Sequence, residues 1–239
     1  MVLRANRRQP SLAAQSVHAR PAEQGLTIIE CLVAIVVIAL TVVAITPPIM
    51  LATASRIQSR KIEKANQIAQ GEIDRVRLMV ERGTYAISDL PGDSGSNTIS
   101  SVGPATGSPT SGLMYSPASC NTYPGTTPVA VSNLIQVDVD GDCVPDYVMQ
   151  VFRTTGYTPT NAAAPYSFVM GVRVYAYYPN QTFLPLDTTK ASARMGTGSL
   201  DLAGGKRLPM AVLYSNMARN DSSQSLGRLC VQTGGSCTY

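Results

Sequence analysis

The hydrophobic and polar positions follow three different rules along the chain. From Leu26 to Thr46, Glu30 apart, the residues are apolar or uncharged on every side, and no charge occurs from Cys31 through Ser55. The 21 residues from Leu26 to Thr46 are enough to cross a bilayer core of roughly 30 Å at 1.5 Å per residue. Pro47-Pro48 follows, where a helix kink is expected because proline removes a backbone donor and crowds the preceding turn. From Ile57 the rule changes. Ile57, Lys61/Ile62, Ala65, Ile68/Ala69, Ile73, Val76 and Met79/Val80 recur at three- to four-residue spacing, and Arg56, Arg60, Lys64, Glu72, Arg75 and Arg77 largely fill the other faces. That spacing predicts an amphipathic helix with Gly83 as its C-cap. The two stretches together predict one kinked helix of more than 50 residues.

Beyond it the period shortens to two. Phe168, Met170, Val172, Val174 and Ala176 alternate with Val169, Gly171, Arg173, Tyr175 and Tyr177. Strands are predicted at Val129–Val139, Tyr147–Arg153, Tyr166–Tyr178 and Leu208–Tyr214, as an antiparallel meander laid on the amphipathic half of the helix. Pro91 to Pro128 is rich in Gly, Pro, Ser, Thr and Asn and reads as a long surface loop with weak strand content. The stretch from Asn216 to Tyr239 is polar. The predicted fold is therefore α+β, with 1–25 a leader, 26–54 an apolar half-helix, 55–83 an amphipathic half-helix, 84–128 a surface loop region and 129–239 a β-rich head.

Charge narrows the partners. The 239 residues carry a formal net charge of +4, and Arg4, Arg7, Arg8 and Arg20 against Glu23 place most of it in the leader. A near-neutral head argues against nucleic acid, which needs a concentrated basic surface. His18, in the leader, is the one histidine in the chain. A chain shortened by that leader has no imidazole for a general base, a triad or a zinc site, and no Gly-rich phosphate loop or H-E-x-x-H occurs. No enzymatic activity is expected.

Cys31 lies in the apolar run, leaving Cys120, Cys143, Cys230 and Cys237 downstream. Four cysteines in a turn-rich domain suggest two disulfides and an oxidising compartment. Three pairings are open, of which Cys120–Cys143 with Cys230–Cys237 is the most local; free buried thiols are the plainer alternative. A four-cysteine metal site is disfavoured because no C-x-x-C pair occurs.

Gly25-Leu26-Thr27-Ile28-Ile29-Glu30, followed by about twenty apolar residues, resembles the type IV prepilin signature. The resemblance covers roughly residues 20–85. It implies that a prepilin peptidase on the cytoplasmic side cuts between Gly25 and Leu26 and methylates Leu26, where most relatives have Phe. It also puts Glu30 at the fifth mature position. There Glu30 makes the assembly contact, neutralising the N-terminal ammonium of a neighbouring subunit, and Pro47 supplies the helix kink. The partners implied are the prepilin peptidase, other pilins or pseudopilins and an inner-membrane assembly platform. The chain is expected to cross the inner membrane once, with its head periplasmic, and then to enter a pilus or secretion pseudopilus at the cell surface.

With about 214 residues after the leader, the chain resembles a minor pilin or pseudopilin more than a bulk subunit. The strings at Ile57–Glu81 and Asp138–Asp146 are similar to cyanobacterial pseudopilins linked to hormogonium polysaccharide secretion. Support of polysaccharide secretion or motility, a protein-exporting type II pseudopilin and a glycan-binding or adhesive tip all stay open, with Tyr175, Tyr177 and Tyr178 as candidate glycan contacts or strand packing. Ala52-Thr53-Ala54 also matches an ordinary signal-peptidase pattern, which would release a secreted protein from Ser55. Without a processing step, Glu30 is simply a polar residue at the membrane interface.

Asp138, Asp140, Asp142 and Asp146 stand at positions 1, 3, 5 and 9 of a loop. In calcium loops acids at these positions converge oxygens on the ion, and the segment also resembles acidic calcium repeats of thrombospondin type. Position six is Cys143 instead of glycine and position twelve is Met149 instead of glutamate. The alternative to calcium is an Asp-Gly-Asp turn between two strands.

Overall fold

The structure, a computed structural model, describes residues 27–125, 128–190 and 202–220. It forms two units, 1–47 and 48–239, and one helix, α1 (Ile28–Arg82), has residues in both. Helical structure runs through Pro47-Pro48 and through Ala52-Thr53-Ala54 without a break.

Within the first unit, Thr27 starts α1. Its hydroxyl oxygen accepts from the Glu30 N–H at 3.3 Å and its carbonyl accepts from the Cys31 N–H at 3.1 Å, which satisfies donors that a helix start leaves open. The apolar side chains that follow are exposed all round. Thr41 donates its hydroxyl to the Ile38 carbonyl at 2.8 Å and Thr46 to that of Val42 at 2.6 Å. Their polar groups are thus satisfied inside the helix, as an apolar solvent requires.

The second unit holds the amphipathic half of α1 and the sheet. Ala65, Ala69, Glu72, Ile73, Val76 and Val80 are buried, a stripe of positions three to four residues apart. The helix stops after Arg82, where Gly83 takes φ +70° and donates to the Val80 carbonyl at 3.1 Å. This is the left-handed cap that glycine adopts without strain.

The sheet contains β1 (Gly92–Asp93), β2 (Pro109–Tyr115), β3 (Leu134–Val137), β4 (Tyr147–Arg153), β5 (Ser167–Ala176) and β8 (Ala211–Ala218); β6 (Leu202–Ala203) and β7 (Lys206–Arg207) form a separate two-stranded pair. The spatial order is β2-β3-β4-β5-β8. The central pairings β3–β4, β4–β5 and β5–β8 are antiparallel, as the predicted meander requires. Two parallel additions depart from it. β2 pairs with β3, and β1 pairs with β4 at Phe152 and Arg153, past the residues that β3 occupies.

The strand limits differ from the alternation in instructive places. Of the Val129–Val139 run only Leu134–Val137 is strand, because Asn133 donates back to the Ala130 carbonyl in a turn. The last strand starts at Ala211, beyond Pro209, which has no N–H for a ladder. It continues to Ala218, so Asn216–Ala218 pair with Ser167–Val169 and belong to the sheet.

One sheet face meets α1. Phe168, Met170, Val172, Val174 and Ala176 of β5 share one buried cluster with Ala65, Ala69, Ile73, Val76 and Val80. The other face is mixed in residue type, with Val169, Gly171, Arg173 and Tyr175, yet β5 is buried along its whole length. Its polar members are covered by the segment before β2. Arg173 donates to the carbonyls of Gly103 at 2.9 Å and Val102 at 2.8 Å, and Gln150 donates to Gly103 and Val131. Leu134, Val148, Tyr175, Ala105 and Leu186 complete that side. The stretch read as surface loop therefore also supplies core: Leu90, Val102, Ala105 and Tyr123 are buried.

A buried ionic group also fixes the helix, at the border of the same core. Glu72, 5% exposed, accepts from Arg75 at 2.6 Å and from the Tyr123 hydroxyl at 2.7 Å. Burial, reinforced by the Glu72 charge, pushes the Tyr123 phenol well above its ordinary pKa. Burial works against the Arg75 charge, but Glu72 more than offsets it and leaves Arg75 more firmly protonated.

Candidate functional site

Two places carry the residues singled out by the sequence. The first is the start of α1. Glu30 is exposed in the first turn, where a negative charge also suits the helix dipole. Pro47 lies within α1, and together with Pro48 it leaves the carbonyls of Val43 and Ala44 without their helical N–H partners. By length and composition α1 is long and apolar enough to cross a membrane once, and none of its most apolar stretch is buried by the protein. Gly25 and Leu26, the predicted cleavage pair, lie outside the described residues. Cys31 is a free, exposed cysteine.

The second place is the loop between β3 and β4, which follows the pair Val137–Tyr147. Asp138 is buried at its base. It accepts from the Ser116 hydroxyl at 2.6 Å, the Gly141 N–H at 2.8 Å and the Cys143 N–H at 3.0 Å. Burial by itself would push the Asp138 pKa up; the three donors outweigh it and hold the carboxyl below its ordinary value. Asp146 accepts from the Val139 N–H at 3.0 Å, closing the loop on itself.

Oxygens of Asp138, Asp140 and Asp146 all lie within 4.8 Å of one another. Asp142 is not in that group; it turns its carboxylate to the Val144 N–H at 2.7 Å. The Asp142 N–H draws the pKa of Asp140 down, but some loss of solvation at this exposed carboxylate and the charges of Asp142 and Asp146 prevail and raise it. Three of the four aspartates are thus gathered as a hard cation requires, and the cluster carries repulsion that such a cation would relieve.

Cys143, at the position where calcium loops carry glycine, adopts φ +65°. The backbone there is left-handed whatever the side chain, so the departure noted in the sequence does not alter the shape of the loop. A disulfide joins Cys143 to Cys120, with the Cα atoms 6.0 Å apart, and ties the loop to the turn after β2. Cys120, Asp138 and Cys143 also lie close together, but both sulfurs are used by the disulfide and are not ligands. Cys230 and Cys237 lie outside the described residues.

Two contributors were missed in the sequence. Ser116 is 22 residues from Asp138, and Tyr123 is 51 residues from Glu72; no local spacing announces either pairing. The tyrosines offered for glycan contact divide. Tyr175 is fully buried and donates to the Asp187 carbonyl at 2.9 Å, which removes it as a surface contact. Tyr177 stacks on Phe183 and Tyr178 lies under Lys61 and Arg207. No family model, curated protein or solved structure matches the chain.

Proposed function

We propose that the protein is a non-enzymatic minor pilin or pseudopilin subunit. In this reading a prepilin peptidase cuts between Gly25 and Leu26, and the chain is held in the inner membrane by the apolar half of α1 with its head outside. It then joins a pilus or secretion pseudopilus through helix packing, with Pro47 as the kink and Glu30 as the charge that pairs with a neighbour's N-terminus. Support of polysaccharide secretion or motility is its role. The observation that carries the proposal is one carboxylate in the first turn of a helix whose next 25 residues are uncharged and whose apolar side chains are exposed. A carboxylate entering an apolar phase needs a cation, and the new N-terminal ammonium of a copy staggered by the four residues from Leu26 to Glu30 is of matching chemistry.

Mass spectrometry of the membrane-extracted protein tests it. A mature chain beginning with N-methylated Leu26 is expected. A chain still starting at Met1 in cells with active prepilin peptidase overturns it, and a start at Ser55 assigns the cut to ordinary signal peptidase.

Calcium is the ligand class proposed for Asp138, Asp140 and Asp146, because a divalent ion would relieve the repulsion that raises the Asp140 pKa. Millimolar calcium should raise the thermal midpoint at neutral pH. The effect should fade as pH falls through the carboxylate range and the ligands protonate. An unchanged midpoint at neutral pH removes calcium from the account.

A further inference from the structure

Immediately after the uncharged run, α1 carries Arg56, Arg60, Lys61 and Lys64 within nine residues. Arg56, Arg60 and Lys64 are exposed. Spaced by four, they advance only about 40° around the helix at each step, so they form one stripe about 12 Å long. Among the described residues no ion pair engages any of the three. Lys61 has turned away to lie 5.2 Å over the Tyr178 ring. Three unpaired cations on one face are costly for their location: placed on the exported side, they oppose the four leader arginines in setting orientation. Such a counterweight is expected to have a use.

We propose that Arg56, Arg60 and Lys64 form a collar that draws anionic phospholipids to the leaflet next to the head: Arg56 meets the phosphates, Arg60 reaches back toward them along the helix, and Lys64, about 12 Å beyond Arg56, adds attraction through solvent. This rests on the membrane reading above. The uncharged 25 residues from Cys31 to Ser55 suffice to span a hydrocarbon core of roughly 30 Å at 1.5 Å per residue, so Arg56 is the first cation to meet the headgroups on that side. Exposed Ile57 follows Arg56, adding an apolar side chain where the headgroup region begins.

The opposing charges to weigh are Glu63 on α1, the buried Glu72 that lines one groove with Lys64, and the aspartate loop between β3 and β4. The loop approaches α1 where the Tyr147 hydroxyl donates to the Lys61 carbonyl at 3.4 Å. Arg56 precedes that level by five residues, about 7.5 Å, close to a Debye length at physiological salt. The lipid-facing end of the collar is therefore the end least affected by the loop's negative charge.

The test uses the full chain reconstituted in phosphatidylcholine vesicles with and without phosphatidylglycerol, with spin-labelled lipids reporting the lipid shell around the protein. Enrichment of phosphatidylglycerol over phosphatidylcholine by about fivefold per engaged cation is expected, weakening with salt. The R56Q/R60Q/K64Q variant should lose it, the R56K/R60K variant should keep it, and E63Q should not reduce it. Free inorganic phosphate at equal concentration should not displace the lipid. Equal association of both lipids with the wild-type chain, or enrichment that survives in R56Q/R60Q/K64Q with unchanged helical circular dichroism, overturns the collar. Displacement by inorganic phosphate overturns the lipid assignment. The pure phosphatidylcholine arm separates this from the membrane reading: a chain stripped from those vesicles by alkaline wash does not span, and the collar falls with it.

Discussion

The two halves of α1 are built from the same backbone and differ in what their apolar side chains face. In Ile28–Leu51 apolar residues surround the helix and remain exposed; in Ala65–Val80 all but Leu78 gather on one side, where Ala65, Ala69, Ile73, Val76 and Val80 are almost fully buried under the sheet. The same side-chain type therefore acts in opposite ways. A valine in the first half contributes nothing to the head and leaves an apolar surface that water disfavours, whereas Val76 is sealed in the core and stabilises it directly. Carboxylates show the same contrast. Glu72 is buried and satisfied by Arg75 and Tyr123 within one chain, whereas Glu30 is exposed and no ion pair engages it among the described residues. The internal pair belongs to folding, whereas Glu30 takes no part in the core of the head.

Matched substitutions make this contrast measurable. Val76→Asp buries an unpaired charge and should cost about 4 kcal/mol or more, enough to unfold the head in detergent-solubilised full chain. Val36→Asp should leave the denaturation midpoint of the head unchanged, yet weaken insertion into vesicles by about 3 kcal/mol. Equal loss of head stability from both would show that the two halves are one core. A smaller effect separates the carboxylates. Glu72→Gln should cost about 2 kcal/mol in urea denaturation, less than a fully buried pair because Arg75 is partly exposed. Glu30→Gln should change that midpoint by no more than about 0.5 kcal/mol while abolishing co-assembly with partner subunits. Head destabilisation by Glu30→Gln would place that residue in the fold, against the proposed assembly role.

How much could be read in advance depended on the range of the interactions. The stripe from Ala65 to Val80 is a local periodicity, and β4 has the limits Tyr147–Arg153 that its β-branched and aromatic run indicates. The burial of the second face of β5 was not legible, because Arg173 and Tyr175 are polar by type. They are buried only because Val102, Gly103 and the Asp187 carbonyl accept their hydrogen bonds, and those acceptors come from segments with no periodic signal. The aspartate loop was legible as a cluster, but its division was not: Asp142 turns outward to Val144 while Asp138 is held by Ser116 from a distant turn.

The amino-acid order by itself determined the charge-free length, the carboxylate that precedes it, the change of period at Ile57 and the spacing of the aspartates, since each is a property of neighbours in the chain. Tertiary structure alone decided which residues complete the buried ionic group at Glu72, that β1 and β2 join the sheet in parallel, and that Cys120 closes onto Cys143 beside Asp138. Those outcomes are long-range pairings whose partners share no local pattern; they become favourable only after burial has brought the segments together and made an unpaired polar group costly. The start of α1 differs from all of them, because its carboxylate was legible from the outset and folding of the described chain supplies it with no counter-ion.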